Sequence, residues 1–300
     1  MSTKKKLPLT LKILFFAMGC FLLEHLTYRA TAGFQVTRIS TPSTITDFEK
    51  NFSNDPLNQE IRAIMQQPFY FLGSGSQSFA FVSEDGQYVL KVFKQHHFLI
   101  PAFLKNLPLP AFTRTFSRDF LQSQETKREQ FMRSCAIAAS SWKEETGTLY
   151  VHLASSNEGD IPLTLVDKLH IQHVIKADTL QFALQKKATL VSSTLRTFLK
   201  NGDKESAEAC IRSLITLIKT RCEKGIGDRD PVVRRNFGFI GTQAVEIDIG
   251  SYYENGFLKQ EPLHGRAVFF EIKNLRGWLA NHFPELAPLA EAELQPFLQI

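Results

Sequence analysis

Two stretches of this chain carry side chains whose types and spacing could do chemistry. In the first, Leu72-Gly73-Ser74-Gly75-Ser76-Gln77-Ser78 sets small residues between aromatic and β-branched runs. Glycine permits the backbone angles, and small side chains the close approach, by which successive N–H groups cradle a phosphate. The run Val89-Leu90-Lys91-Val92-Phe93 follows, with a lysine inside an apolar segment. An inward ammonium there is costly without a partner. Alternation also permits Lys91 to face solvent, since it shares a face with Val89, so its place after the glycine loop is what favours the inward reading. The second stretch is Asp228-Arg229-Asp230-Pro231-Val232-Val233-Arg234-Arg235-Asn236, followed by Phe237–Ile240 and then Val245-Glu246-Ile247-Asp248-Ile249-Gly250. Asp and Asn gather in turns for backbone reasons. Neither stretch is specific alone; their order along one chain gives them weight.

The elements that must position these residues follow from pattern. Phe69–Leu72, Phe79–Val82 and Tyr88–Phe93 are rich in aromatic and β-branched residues, and Glu84-Asp85-Gly86 supplies a hairpin turn. Thr148–Leu153, Leu163–Leu169 and Leu180–Gln185 read as further strands. Gln122–Glu144 is charged, proline-free and helical in pattern, with Glu125 and Glu129 one helical turn apart. Residues 96–120 form an insertion in which Phe and Leu alternate with prolines and with Lys105, Arg114 and Arg118. It is expected to pack on its lobe, or to present a basic apolar surface to a membrane or an acceptor. Gln185–Leu190 connects to a second, helical half. There Ser206–Lys224 forms an amphipathic helix stopped by Gly225 and Gly227, and another helix is expected around Val268–Phe283. The strands Phe237–Ile240 and Ala244–Ile247 flank a Gly241-Thr242-Gln243 turn and deliver Asp248.

At the N-terminus, Lys4–Lys6 precede an apolar run from Leu7 to Leu26 that contains Lys12 and Glu24. Residues 1–32 are therefore expected to be a single-pass membrane anchor. The alternative is a signal segment cleaved near Ala32, since the uninterrupted apolar core is short. Basic residues before the run predict a cytoplasmic N-terminus with the domain on the far side. Residues 33–67 read as a linker ending in a helix. The first lobe is expected over 68–187 and the second over 188–300.

Composition narrows the classes. The chain has 300 residues, a formal net charge of +5 and an ordinary 43% hydrophobic content. Its basic residues are scattered outside Lys4–Lys6, which argues against nucleic acid as a partner. The 26 Phe residues point to aromatic packing in the core. Four dispersed cysteines make neither a disulfide scaffold nor a zinc site, and no structural metal is expected.

Taken together, residues 69–250 resemble the protein-kinase-like superfamily, which includes protein kinases and bacterial small-molecule and lipopolysaccharide-sugar kinases. The resemblance implies an α+β, two-lobed fold, with an antiparallel-sheet N-lobe and a short, mainly helical C-lobe. It implies ATP and Mg²⁺ as cofactors and a hydroxyl acceptor of unknown identity. Gly73, Ser74, Gly75, Ser76 and Ser78 would cover the phosphates. Lys91 would contact phosphates and be held by Glu125 or Glu129. Asp230 would position the acceptor, and Asn236 and Asp248 would bind the metal. The chain departs from the family pattern in three places. Asn236 lies six residues after Asp230 rather than five, Asp228 stands where the motif has histidine, and no Ala-Pro-Glu follows Asp248. A pseudokinase acting as a membrane-tethered binding module is the alternative.

Overall fold

The computed structural model of the protein describes residues 8–41, 45–53, 55–97, 111–154 and 161–297. The first lobe is built on a seven-stranded sheet of order β4-β7-β3-β2-β1-β5-β6. Its strands are β1 (Phe69–Ser74), β2 (Ser78–Ser83), β3 (Tyr88–Phe93), β4 (Thr148–His152), β5 (Pro162–Val166), β6 (Gln172–Lys176) and β7 (Phe182–Lys186). All neighbours are antiparallel except β1 and β5, which run parallel. The register of β1 on β2 shifts between Phe71 and Gly73, so the strand bulges as it enters the glycine loop. Strand β6 was not expected from sequence. Its alternation of Gln172, Val174 and Lys176 outward is that of an edge strand with little to bury.

One face of the sheet is covered by the chain's N-terminal part. Phe34 and Ile39 pack in a core with Phe79, Phe81, Leu163 and Leu165, and helix α3 (Gln59–Gln66, after α1, Leu9–Thr31, and α2, Asp47–Asn51) adds Ile61, Ile64 and Met65. Residues 33–67, expected as a linker ending in a helix, do end in one, and Phe34, Ile39 and Glu49 ahead of it are buried. Each such apolar side chain contributes about 1.5–3 kcal/mol by leaving water.

The other face receives helix α4 (Ala111–Ala139), longer at its start than the expected Gln122–Glu144 and ending earlier, before the one-turn α5 (Lys143–Thr146). The insertion over 96–120 falls largely on residues 98–110, outside the described residues. The buried stripe of α4 runs through Arg128, Phe131, Met132 and Cys135, the spacing of one helical face. Arg128 reaches Glu49 on α2 with two hydrogen bonds of 2.6 and 2.9 Å, and Glu49 also accepts from Gln181 at 2.6 Å. Burial alone would raise the Glu49 carboxyl, but the Arg128 guanidinium holds it below its ordinary value.

The second lobe is helical. Helix α6 (Val191–Lys200) leads to α7 (Lys204–Glu223), whose N-terminus is capped by Asp203 on Ser206 N at 3.0 Å. Ala207, Cys210, Ile211, Leu214, Ile215 and Ile218 line the buried face of α7, and Gly225, at φ +71°, ends the run in the left-handed region. Strand β9 (Ile226–Asp228) follows at once, so a buried helix sets the position of the acidic loop. After the one-turn α8 (Val233–Asn236) come the hairpin β10 (Phe237–Ile240) and β11 (Gln243–Glu246), with Gly241 at φ +63° in its turn. β10 also pairs with β8 (Thr189–Leu190) at the crossing between lobes, and β12 (Tyr252–Glu254) pairs with β9. Helices α9 (Leu263–His282) and α10 (Ala287–Leu294) close the lobe.

Candidate active site

The lobes enclose a cleft of about 660 Å³. Its walls bring together the glycine loop, Lys91, Asp230, Asn236 and Asp248, from segments more than a hundred residues apart in sequence. Ser74, Ser76 and Ser78 lie on its roof, and Ala80, Phe93, Phe131 and Leu190 give it an apolar part.

The loop is held in a defined shape. Gly75 N–H donates to Ser78 O at 2.9 Å and closes the turn. Lys94, just beyond β3 and only 6% exposed, donates to Ser74 Oγ at 2.8 Å and Gly75 O at 2.5 Å, with its ammonium 4.5 Å from the centre of the Phe79 ring. In a trans peptide the carbonyl and the next N–H point in opposite directions. Turning the Gly75 carbonyl toward Lys94 therefore turns Ser76 N–H away from Lys94. Burial lowers the Lys94 pKa, and Arg38 nearby adds to the effect. Lys94 was missed in the sequence, although it falls in phase with Leu90 and Val92, both wholly buried, which was the available signal. Gln77 reaches from the same loop across the cleft to Gly250: a Cβ there would lie 2.1 Å from Gln77 Oε1 and 2.9 Å from Phe131. The glycine of Asp-Ile-Gly thus makes room for the closed loop.

Lys91 faces inward. It donates to the backbone carbonyl of Ile247, the residue before Asp248. Burial lowers its pKa, and the Asp248 charge pulls it back up. The expected helix carboxylate is not its partner. Glu125 is exposed, and Glu129 pairs with Arg133 one turn on at 2.6 Å. Glu129 sits one residue past Arg128 and so points about 100° away from the buried stripe. Glu125 falls on the stripe's side but a turn earlier, where it is exposed. Cys135 takes the place opposite Lys91, its thiol pushed far up by burial.

The acidic loop separates its two aspartates by role. Asp228 is a brace: its carboxylate accepts from Ser251 Oγ and from Asp230 N–H (2.8 Å), and stands 3.5 Å from Arg221. Asp230 opens on the cleft, with its side chain 44% exposed and an Arg235 ion pair at 3.1 Å. Asn236 Nδ2 donates to the Asp230 carbonyl at 2.5 Å, and the Asn236 carbonyl accepts Ile247 N–H at 2.8 Å. Asn236 therefore ties the loop to the strand that delivers Asp248. The extra residue between Asp230 and Asn236 is absorbed by α8, which buries Val233. Asp248 Oδ1 accepts Gly250 N–H at 3.2 Å.

The fold is α+β and two-lobed, a seven-stranded sheet facing a mainly helical half across the cleft.

Behind this loop, Arg221 is fully buried among Glu246, Glu271 and Asp228, and Trp142 Nε1 donates to Glu246 at 2.9 Å. Burial pushes the Glu246 carboxyl up to about 7, with Arg221 pulling it down and Asp228 adding to the push.

No protein-family model matches the chain, and no curated protein matches it. Solved structures do. The bifunctional kinase-methyltransferase WbdD is 16% identical over 75% of this chain and 43% of its own, with a TM-score of 0.33. WbdD bound to the kinase inhibitor LY294002 is 15% identical over 77% and 46%, with a TM-score of 0.35. Rv3197 bound to erythromycin, from Mycobacterium tuberculosis, is 14% identical over 77% and 55%, with a TM-score of 0.35. The chain spans less than half the length of WbdD.

Proposed function

We propose that the chain is an ATP- and Mg²⁺-dependent phosphotransferase acting on a hydroxyl acceptor. The observation that carries this reading is the convergence of the glycine loop, Lys91, Asp230, Asn236 and Asp248 on one cleft. Ser76 N–H and its neighbours would bind phosphate oxygens, and Lys91 would exchange the Ile247 carbonyl for them. Asp230, the exposed carboxylate, would orient the acceptor hydroxyl and take its proton. Among the described residues, no three His, Cys, Asp or Glu side chains converge as a metal site. That suits Mg²⁺, which typically uses one or two protein oxygens and completes its shell with phosphates and water. Asp248 and the Asn236 amide oxygen would hold the ion, the Asn236 nitrogen being turned back on Asp230. Bound there, the ion would neutralise charge on the transferred phosphoryl group.

A second reading, a pseudokinase serving as a binding module, is favoured by two contacts. Arg235 pairs with Asp230, and Lys91 donates to the Ile247 carbonyl, with no helix carboxylate meeting it among the described residues. Site variants separate the two. Under the first reading Asp248→Ala lowers Mg²⁺-dependent nucleotide binding, while Asp230→Ala leaves binding intact and abolishes phosphate incorporation into a membrane fraction. ATP binding by the parent without incorporation or hydrolysis would move the assignment to the pseudokinase. Asp228→Ala should act mainly on stability, since it removes the Arg221 and Ser251 brace.

Helix α1 is long and apolar enough to cross a membrane, with mean hydropathy 1.7 and none of it buried. In the proposed setting it anchors the chain, and a body across the bilayer from Lys4–Lys6 would stand where ATP is scarce, which favours the second reading.

A further inference from the structure

The join between α1 and the body leaves almost no slack. Thr31 ends the helix, and Phe34 is already 3% exposed in the core, with Phe79, Phe81 and His173 rings each 5.4 Å away. Only Ala32 and Gly33 intervene, and both are bonded into the turn: the Ala32 and Gly33 N–H groups donate to Tyr28 O, Gly33 at 3.0 Å, and Phe34 N–H donates to Thr31 O at 3.1 Å. The helix is therefore a fixed post on the first lobe, and one particular part of that lobe must stand beside its end.

That part is the β5–β6 hairpin. Lys168 Nζ donates to the carbonyl of Arg29, in the last turn of α1, at 3.0 Å. The hairpin tip is a built structure. Asp167 Oδ1 accepts Leu169 N–H and Ile171 N–H at 2.8 and 2.9 Å, and Asp167 Oδ2 lies 2.9 Å from His173 Nε2. This rigid turn holds two large apolar side chains outward, Leu169 at 49% and Ile171 at 52% exposure, beside the Lys168 ammonium.

We infer that the β5–β6 tip docks on the phospholipid surface next to the anchor, Leu169 and Ile171 entering the headgroup–acyl boundary and Lys168 meeting lipid phosphate. The inference rests on α1 being a membrane span. A helix of 23 residues is about 34 Å long, against about 30 Å of hydrocarbon, so its apolar part ends near Leu26 and Tyr28 and Arg29 fall at the interface. Lys168 shares that level through its bond to Arg29, and Leu169 follows it in the chain. A flexible tether would let the body leave the surface; two ordered residues do not. The apolar pair with an adjacent cation is the pattern of an interfacial contact. Docking at α1 and at the hairpin together fixes the body's rotation about the helix axis, so the cleft has one orientation toward the bilayer.

The test uses the full-length chain in vesicles of phosphatidylcholine and phosphatidylglycerol with brominated acyl chains, which quench nearby indoles. Leu169→Trp and, separately, Ile171→Trp are compared with Phe270→Trp, a 60%-exposed position on α9 of the other lobe. Emission of the parent, which contains Trp142 and Trp278, is subtracted. The inference expects the added emission at 169 and 171 to be mostly lost and blue-shifted, and that at 270 to survive. A vesicle-bound chain whose 169 and 171 emission survives as at 270 would overturn the docking alone. A parent chain that washes off the vesicles in carbonate would overturn the anchor, and the docking with it.

Discussion

Replacing Glu49 by alanine tests how the helix beside the cleft is held. Glu49 and Arg128 are 0% and 6% exposed at their side chains, and the carboxylate receives two guanidinium hydrogen bonds and one from Gln181. Truncating one member of a buried ion pair costs about 3–5 kcal/mol, and here Arg128 keeps its hydrogen bonds to Gln95 and Gln181. For a protein of this size about 1 kcal/mol moves Tm by roughly 2–4 °C, so the variant should melt roughly 6–20 °C lower. Differential scanning calorimetry at pH 7 reads this directly. The pH dependence supplies a second check. The folded Glu49 carboxyl lies below its unfolded value. Its contribution is therefore complete above the unfolded pKa of about 4.5 and lost as pH falls through the folded one. The Tm gap between parent and variant should narrow below pH 4.5. A gap under about 2 °C at pH 7 would refute the reasoning, since it would lie below the effect of breaking any buried pair.

Three further outcomes follow from the cleft. Lys94→Met keeps the stem over Phe79 but removes charged hydrogen bonds, so isothermal titration should show ATP affinity about tenfold weaker or worse. Adenosine affinity should be unchanged, and equal losses for both ligands would mean that Lys94 only stabilises the lobe. Gly250→Ala forces Gln77 out and presses on Phe131, so it should weaken ATP binding and speed hydrogen exchange over residues 73–78; unchanged exchange would contradict the closed loop. Glu246, raised by burial to about 7, opposes folding progressively as pH rises toward that value. Glu246→Gln should therefore gain stability relative to the parent between pH 4.5 and 7.5 in urea titrations, and a constant difference would count against it.

Much of this architecture was legible in sequence because its signals are local. Glycine and aspartate mark the turns at Gly86 and Gly241, apolar alternation marks β1 to β3, and the 3.6-residue period marks α7, all near their expected bounds. What stayed hidden depends on tertiary partners. Glu125 and Glu129 fit the spacing of a lysine partner equally well, but the register of α4 is set by Arg128 seeking Glu49, about eighty residues away, which no local pattern announces. Lys94 lies one residue past the expected strand Tyr88–Phe93, and its role depends on the fold wrapping the glycine loop over it. Residues 33–67 read as a linker ending in a helix because Phe34, Ile39 and Glu49 are isolated in polar sequence, and their burial is decided by tertiary partners. The choice of Asp230 over Asp228 did follow from spacing to Asn236, and the structure sets Asp230 on the cleft with Asp228 behind it.

The central claim is that this cleft binds nucleotide through its metal-dependent aspartate. Calorimetric titration of the full-length chain with ATP, with and without Mg²⁺, tests it most directly when run beside Asp248→Ala. The account predicts saturable binding by the parent that requires Mg²⁺ for full affinity and is weakened in Asp248→Ala. A folded parent that gives no heat and no melting shift with millimolar ATP and Mg²⁺ would contradict it.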